Sequence, residues 1–173
     1  MEEKDINRTV KNALIKNSGA AFKITDPHGA EVYSTVKNPF DGFGAFREED
    51  GTVHPVYWES KWDRDLKAFN LKNHLQPHQA DYLTAFSVVT DSICLVPYGT
   101  KASRKDTRIY FFLWDAVKDL YNGVEIKGKV KHSIPAKVLE KLPYAKVNAS
   151  TWTCEIKREL FITKALLNSL LYE

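Results

Sequence analysis

Apolar residues at Ile6, Val10, Ala13 and Leu14 fall three and four apart, and this spacing predicts a helix over 6–18 that Gly19 can stop. Arg8, Lys11 and Lys16 lie off that stripe and give the helix a basic outer face. From residue 21 the period shortens. Ala21 and Phe22 open a short strand or turn, Asp26-Pro27-His28-Gly29 is a turn signal, and 31–36 alternates as a strand does. Asn38-Pro39 interrupts. Residues 40–46 then alternate again, with Phe40, Gly42, Gly44 and Phe46 on one face and Asp41, Phe43 and Ala45 on the other. Glycines beside Asp41 leave room for another backbone or a ligand. A polar turn at 48–51 leads into a returning strand over 53–62, with Val56, Trp58, Ser60 and Trp62 on one face and Tyr57, Glu59 and Lys61 on the other.

Beyond Asp63-Arg64-Asp65 the stretch 69–75 is irregular, and Pro77 suits the first turn of a helix reaching about residue 89, with Gln79, Leu83 and Phe86 on its inward side. Two apolar, β-rich runs, 92–98 and 108–113, predict central strands joined by a loop over 99–107. A short helix follows at 114–121, a capped helix start at Ser133-Ile134-Pro135, and a long amphipathic helix over 155–172 with Ile156, Leu160, Leu167 and Leu170 on one stripe. This order predicts an α/β fold in which a mixed central sheet is flanked by helices.

The chain has 173 residues, enough for a full core, and is most simply a single domain over 1–173. Its 43% hydrophobic and 27% charged residues exclude disorder and fibrous repeats. Met1-Glu2-Glu3-Lys4-Asp5 is not a secretory signal, and no run of about 18 apolar residues would span a membrane. Cys94 and Cys154 lie far apart without zinc-knuckle spacing. Together these features predict a reduced, cytoplasmic protein. A net charge of +3 decides little about partners, but Lys101, Arg104, Lys105 and Arg108 crowd one segment and are candidates for neutralising phosphates.

Most informative is Val56-Tyr57-Trp58-Glu59-Ser60-Lys61-Trp62. Glu-x-Lys by itself is common and usually a solvated pair; it recurs here at 2–4, 125–127 and 155–157 in related forms. At 59–61, however, the strand period aims a carboxylate and an amine at one volume, and a hairpin with 40–46 brings Asp41, eighteen residues earlier, toward them. Phosphodiester hydrolysis needs a nucleophilic water, charge neutralisation at phosphorus and help for the leaving oxygen, which Mg²⁺ on oxygen ligands can supply. Asp41 and Glu59, with the Ser60 carbonyl, are the candidate metal ligands. Lys61 would position the water, and Gln79 would reach in from the helix start.

Asn38-Pro39-Phe40-Asp41 followed by Trp58-Glu59-Ser60-Lys61 resembles the PD-(D/E)xK, restriction-endonuclease-like nuclease core. The continuation Phe69-Asn70-Leu71-Lys72-Asn73-His74 with His78-Gln79 is similar to its RecU branch, the Holliday junction resolvases. The likeness is best over 38–114. It implies a homodimeric, Mg²⁺-dependent endonuclease, with Mn²⁺ as a substitute, that cuts four-way branched DNA during recombination and repair. It also implies catalytic or metal-binding roles for Asp41, Glu59, Lys61 and Gln79, with Lys67 and Lys72 joining Lys101, Arg104, Lys105 and Arg108 on the DNA. Two departures stand out. Residues 24–38 are too few for the long stalk of the chromosomal enzymes, which points to the compact phage or mobile-element relatives. Those relatives carry a glutamate in the first helix, where Asn12 stands here beside Lys11, leaving one fewer carboxylate.

Rival arrangements exist in the same residues. Asp106 with Glu125-Ile126-Lys127 has nearly the same spacing. His74 and His78 are four apart, as zinc ligands on a helix would be, although Pro77 intervenes. Trp58, Trp62, Trp114 and Trp152 can stack bases or fill the core. The activities left open are a nuclease of this fold on another DNA substrate and a non-catalytic DNA-binding protein that keeps the fold.

Overall fold

The computed structural model describes residues 1–24 and 38–173, so the turn expected at 26–29, the strand at 31–36 and the question of a stalk lie outside the described residues. Helix α1 (Glu3–Ser18) forms where the apolar stripe predicts it. Ile6, Val10 and Leu14 are fully buried, each contributing about 1.5–3 kcal/mol of apolar burial. Gly19 ends the helix at φ 82° and donates its N–H to the Ile15 carbonyl at 2.8 Å.

The main sheet is mixed. Strand β2 (Gly42–Arg47) pairs antiparallel with both β1 (Ala21–Lys23) and β3 (Val53–Trp58), and β3 lies parallel to β6 (Ile93–Ser103). The sheet continues through β7 (Asp106–Leu113), antiparallel to β6, to β11 (Ala145–Lys146). One apolar layer lies between the sheet and α1, around Ile6, Leu14, Trp58 and Phe111. The other lies beneath α3 (Pro77–Ser87), α4 (Trp114–Asn122) and α6 (Lys164–Leu171), around Leu83, Val96, Phe112 and Val117. Helices thus flank both faces of a mixed sheet. Among the described residues no helix is long and apolar enough to cross a membrane.

Several expectations need correction. The returning strand is not continuous over 53–62: it breaks at Glu59-Ser60 and resumes as β4 (Lys61–Trp62), because the Ser60 N–H leaves the ladder to donate to Asp41 Oδ2 at 2.8 Å. Strand alternation does not reach back to Phe40. That ring packs against Tyr57 and Phe86 in the layer opposite Phe46, since β2 starts only at Gly42. The stretch 69–75 is ordered as β5 (Phe69–Asn70) and α2 (Leu71–His74). The expected loop 99–107 is a hairpin extending β6 and β7, turning only at Arg104-Lys105.

Ser133-Ile134 forms β10 (Ser133–Ile134), which pairs with β5, and Pro135 then caps the short α5 (Ala136–Leu139). The long helix over 155–172 is instead β12 (Phe161–Ile162), parallel to β7, followed by α6. Adjacent Phe161 and Ile162 are both buried, one in each core layer, which a strand permits and a helix does not. The Thr163 hydroxyl then accepts the Leu166 N–H and starts α6.

Candidate functional site

The break between β3 and β4 creates the site. Asp41 immediately precedes β2, where its N–H donates to the Trp58 carbonyl at 3.0 Å. Its carboxylate accepts the Ser60 N–H, which holds the two strand ends together. Glu59 keeps its place beside β6 by donating its N–H to the Leu95 carbonyl at 3.1 Å. Lys61 Nζ donates to Glu59 Oε1 at 2.8 Å, with both side chains buried. Gln79, in the first turn of α3, donates its Nε2 to the same oxygen at 2.6 Å, while its Oε1 accepts the Gln76 N–H at 2.9 Å. Asp41, Glu59, Ser60, Lys61 and Gln79 are therefore gathered at one point, as their spacing predicts.

A third acid joins them. Carboxylate oxygens of Glu3, Asp41 and Glu59 lie within 4.8 Å of one another. The expectation of one fewer carboxylate is therefore corrected: Glu3 lies in the first turn of α1, where the partial positive charge of the helix end favours an anion. Asn12 has a different task, donating to the Trp152 carbonyl at 3.0 Å. No sequence signal marks Glu3, which sits in the charged stretch Glu2-Glu3-Lys4-Asp5 before the first apolar residue of the stripe.

The position of α1 is set by the sheet beneath it. Asn7 Oδ1 accepts the indole N–H of the fully buried Trp58 at 3.1 Å, and the Asn7 side chain favours the ionised form of Asp41. The Trp58 ring lies over Gly42, its partner across the β2–β3 ladder, where any Cβ would overlap it. At Gly99 a Cβ would overlap Ile6 of α1. At Gly44 a Cβ would come within 2.6 Å of the Ala20 carbonyl. The glycines near Asp41 therefore admit a ring and a neighbouring backbone.

Three carboxylates share this volume with one buried amine, so burial and mutual repulsion both act against full ionisation. Burial, and secondarily the Asp41 charge, push Glu59 up to about 7 despite the opposing pull of Lys61. Burial also raises Asp41, against the Ser60 N–H and Lys61. Glu3 is raised chiefly by burial, against the attraction of Lys61. Such a set of hard oxygen donors, short of positive charge, fits a divalent cation of the Mg²⁺ or Mn²⁺ kind.

Elsewhere the rival groupings come apart. Asp106 accepts two hydrogen bonds from Arg108 at 3.0 and 2.6 Å, while Glu125 is exposed in a separate two-stranded sheet. His74 uses both ring nitrogens within the protein, 2.7 Å from the Asn70 carbonyl and 3.0 Å from Asp63 Oδ2. Among the described residues, neither His74 nor His78 belongs to a group that could hold a metal. Trp58 and Trp114 are core residues, and Trp62 and Trp152 pack at its edge.

Of the basic residues, Lys72, Arg104 and Lys105 are exposed and Lys101 is half-buried. Lys67 pairs with Asp63 at 2.9 Å. Arg108 is occupied by Asp106 and stacks 4.1 Å above the Tyr144 ring, so it braces the hairpin.

No protein-family model matches this sequence, and no curated protein matches it significantly.

Proposed function

We propose that the chain is a PD-(D/E)xK endonuclease of the RecU-like type, cutting four-way DNA junctions with Mg²⁺. The observation that carries this reading is the convergence of Glu3, Asp41 and Glu59 within 4.8 Å, with Lys61 Nζ 2.8 Å from Glu59. The three carboxylates and the Ser60 carbonyl would hold the ion, with Mn²⁺ able to replace it. Bound there, the ion would neutralise charge at phosphorus and lower the pKa of the attacking water. Lys61 is placed to orient that water or to contact a phosphate oxygen. Gln79 fixes the rotamer of Glu59, and the Ser60 N–H fixes that of Asp41. Lys72 and the hairpin tip at Lys101, Arg104 and Lys105 would take the phosphate backbone.

A four-way junction has near two-fold symmetry, so paired cuts call for a two-fold dimer. Phe22 and Phe43, stacked at 5.4 Å and 58% and 44% exposed, provide an apolar surface beside Asp41 for that contact. The test is cleavage of labelled junction, flap and duplex DNA with Mg²⁺, by wild type and by Lys61→Ala. Junction cutting that drops by about 10²–10⁴-fold in the variant, with DNA affinity retained, is the expected result. Preference for flap or duplex would retain the nuclease and change its substrate. Tight binding without any cutting would make the chain a binding protein.

A further inference from the structure

The segment from Gly123 to Leu142 takes no part in the acidic site. Five lysines stand against two glutamates between 124 and 141, a local +3 that equals the net charge of the whole chain. Four of these lysines surround one cleft. Strands β8 (Val124–Ile126) and β9 (Lys129–Lys131) form a separate hairpin that turns at Lys127 and Gly128, with φ of 52° and 73°. Both central residues of such a turn adopt the left-handed conformation, which favours Asn, Asp or Gly. A lysine is held at the first of them against that preference.

Lys127 and Lys131 from the hairpin meet Lys137 and Lys141, from α5 and the turn after it, around a cleft of about 420 Å³. All four are exposed. Lys141 pairs with Glu173 at 3.0 Å, and among the described residues the other three have no ion-pair partner. The floor is aliphatic, made by Ile126, Val138, Leu170 and Leu171. Among the described residues no aromatic side chain lines it. Nucleic-acid bases are held by aromatic platforms, and phosphates need no apolar floor. A lysine rim that Glu173 neutralises only at Lys141, around an aliphatic hollow, complements carboxylates next to a branched apolar side chain.

We propose that this cleft docks a short acidic segment of a partner protein, its apolar end residue seated on the aliphatic floor and its carboxylates on the lysine rim. The Glu173 carboxylate on Lys141 is an internal instance of the second contact. The inference does not rest on the nuclease reading, because the cleft shares no residue with the acidic site.

The probe is a fluorescently labelled peptide of four aspartates followed by Ile-Leu, titrated with the full chain by anisotropy. Saturable binding is expected, weakened about tenfold or more by Lys131→Glu combined with Lys137→Glu, and by raised salt. Replacing Ile-Leu by Ser-Ser in the peptide should cost a comparable factor. Circular dichroism of the lysine variant guards against loss of fold, which is not expected for exposed positions. Equal binding of the two peptides would overturn the proposal, because charge alone would then account for it. It would equally be overturned if the peptide failed to bind, if these lysines proved to govern binding of an oligonucleotide instead, or if they governed self-association. Glu59→Gln should bind the peptide as wild type does, whatever its nuclease activity.

Discussion

Stability of the metal-free protein should fall as pH rises from about 5 to about 8, and Mg²⁺ should restore it only at the upper end. Glu59 is held up to about 7 in the folded chain against 4.5 in the ordinary case. A carboxyl raised on folding binds its proton more tightly in the native state, so its contribution is complete below about 4.5 and lost as pH climbs through about 7. At about 1.4 kcal/mol per pKa unit, the loss is roughly 3 kcal/mol. For a chain of this size that corresponds to roughly 6–12 °C in Tm. Burial raises Asp41 and Glu3 as well, so both act in the same sense. Glu48, Asp50 and Asp106 are lowered and act in the opposite sense, but their effect is confined to acid below about pH 4.5. A divalent ion should bind the deprotonated cluster, and a hundredfold excess over its Kd would return about 2.7 kcal/mol. Urea unfolding across this pH range, with and without Mg²⁺, measures both effects. Metal-free stability that stays flat or rises over the interval would refute the crowded-carboxylate account. A Mg²⁺ shift as large at about pH 5 as at about pH 8 would refute the cluster as the binding site.

Other expectations follow from the same geometry. Glu3→Gln should leave the fold intact and raise the Mg²⁺ needed for half-maximal cutting by at least about tenfold, read from a metal titration of junction cleavage. Gly42→Ala must displace the Trp58 ring and should cost about 1–3 kcal/mol in urea unfolding, with activity falling because Asp41 is the next residue. Neutralising Lys101, Arg104 and Lys105 should weaken binding to all DNA sequences alike and flatten the salt dependence by about one unit per lost phosphate contact; an unaltered slope would take the hairpin tip off the DNA.

What the sequence made legible was local. Helical spacing located α1, α3 and α4, and the hydrophobic runs located β6 and β7, because each of these elements buries a face whose period survives in the chain. The C-terminal segment defeated the same test. Ile156, Leu160, Leu167 and Leu170 match a helical stripe, yet the open edge of β7 draws Phe161 and Ile162 into the sheet, and no local period records the presence of a vacant edge. At the site, Asp41, Glu59 and Lys61 were legible because a short hairpin connection brings the ends of adjacent strands together even where the alternation breaks, and Gln79 because Pro77 marks the first turn of its helix. Glu3 was not, because its position depends on how a whole helix lies across the sheet.

That placement is where fold and chemistry meet. Glu3 reaches Asp41 and Glu59 because Ile6 occupies the space left by Gly99, and because Asn7 accepts the Trp58 indole N–H. Trp58 can lie flat enough to meet Asn7 only over a residue without a Cβ, which Gly42 provides. The glycine beside Asp41 therefore acts at one remove: it seats a ring, the ring anchors a helix, and the helix carries the third carboxylate. A substitution in this chain of contacts changes the distance between acids without touching any of them. Misplacements of about 1 Å are enough to lower a catalytic rate by about 10²-fold, so activity should be lost at Gly42, Asn7 and Trp58 at smaller perturbations than those that unfold the chain.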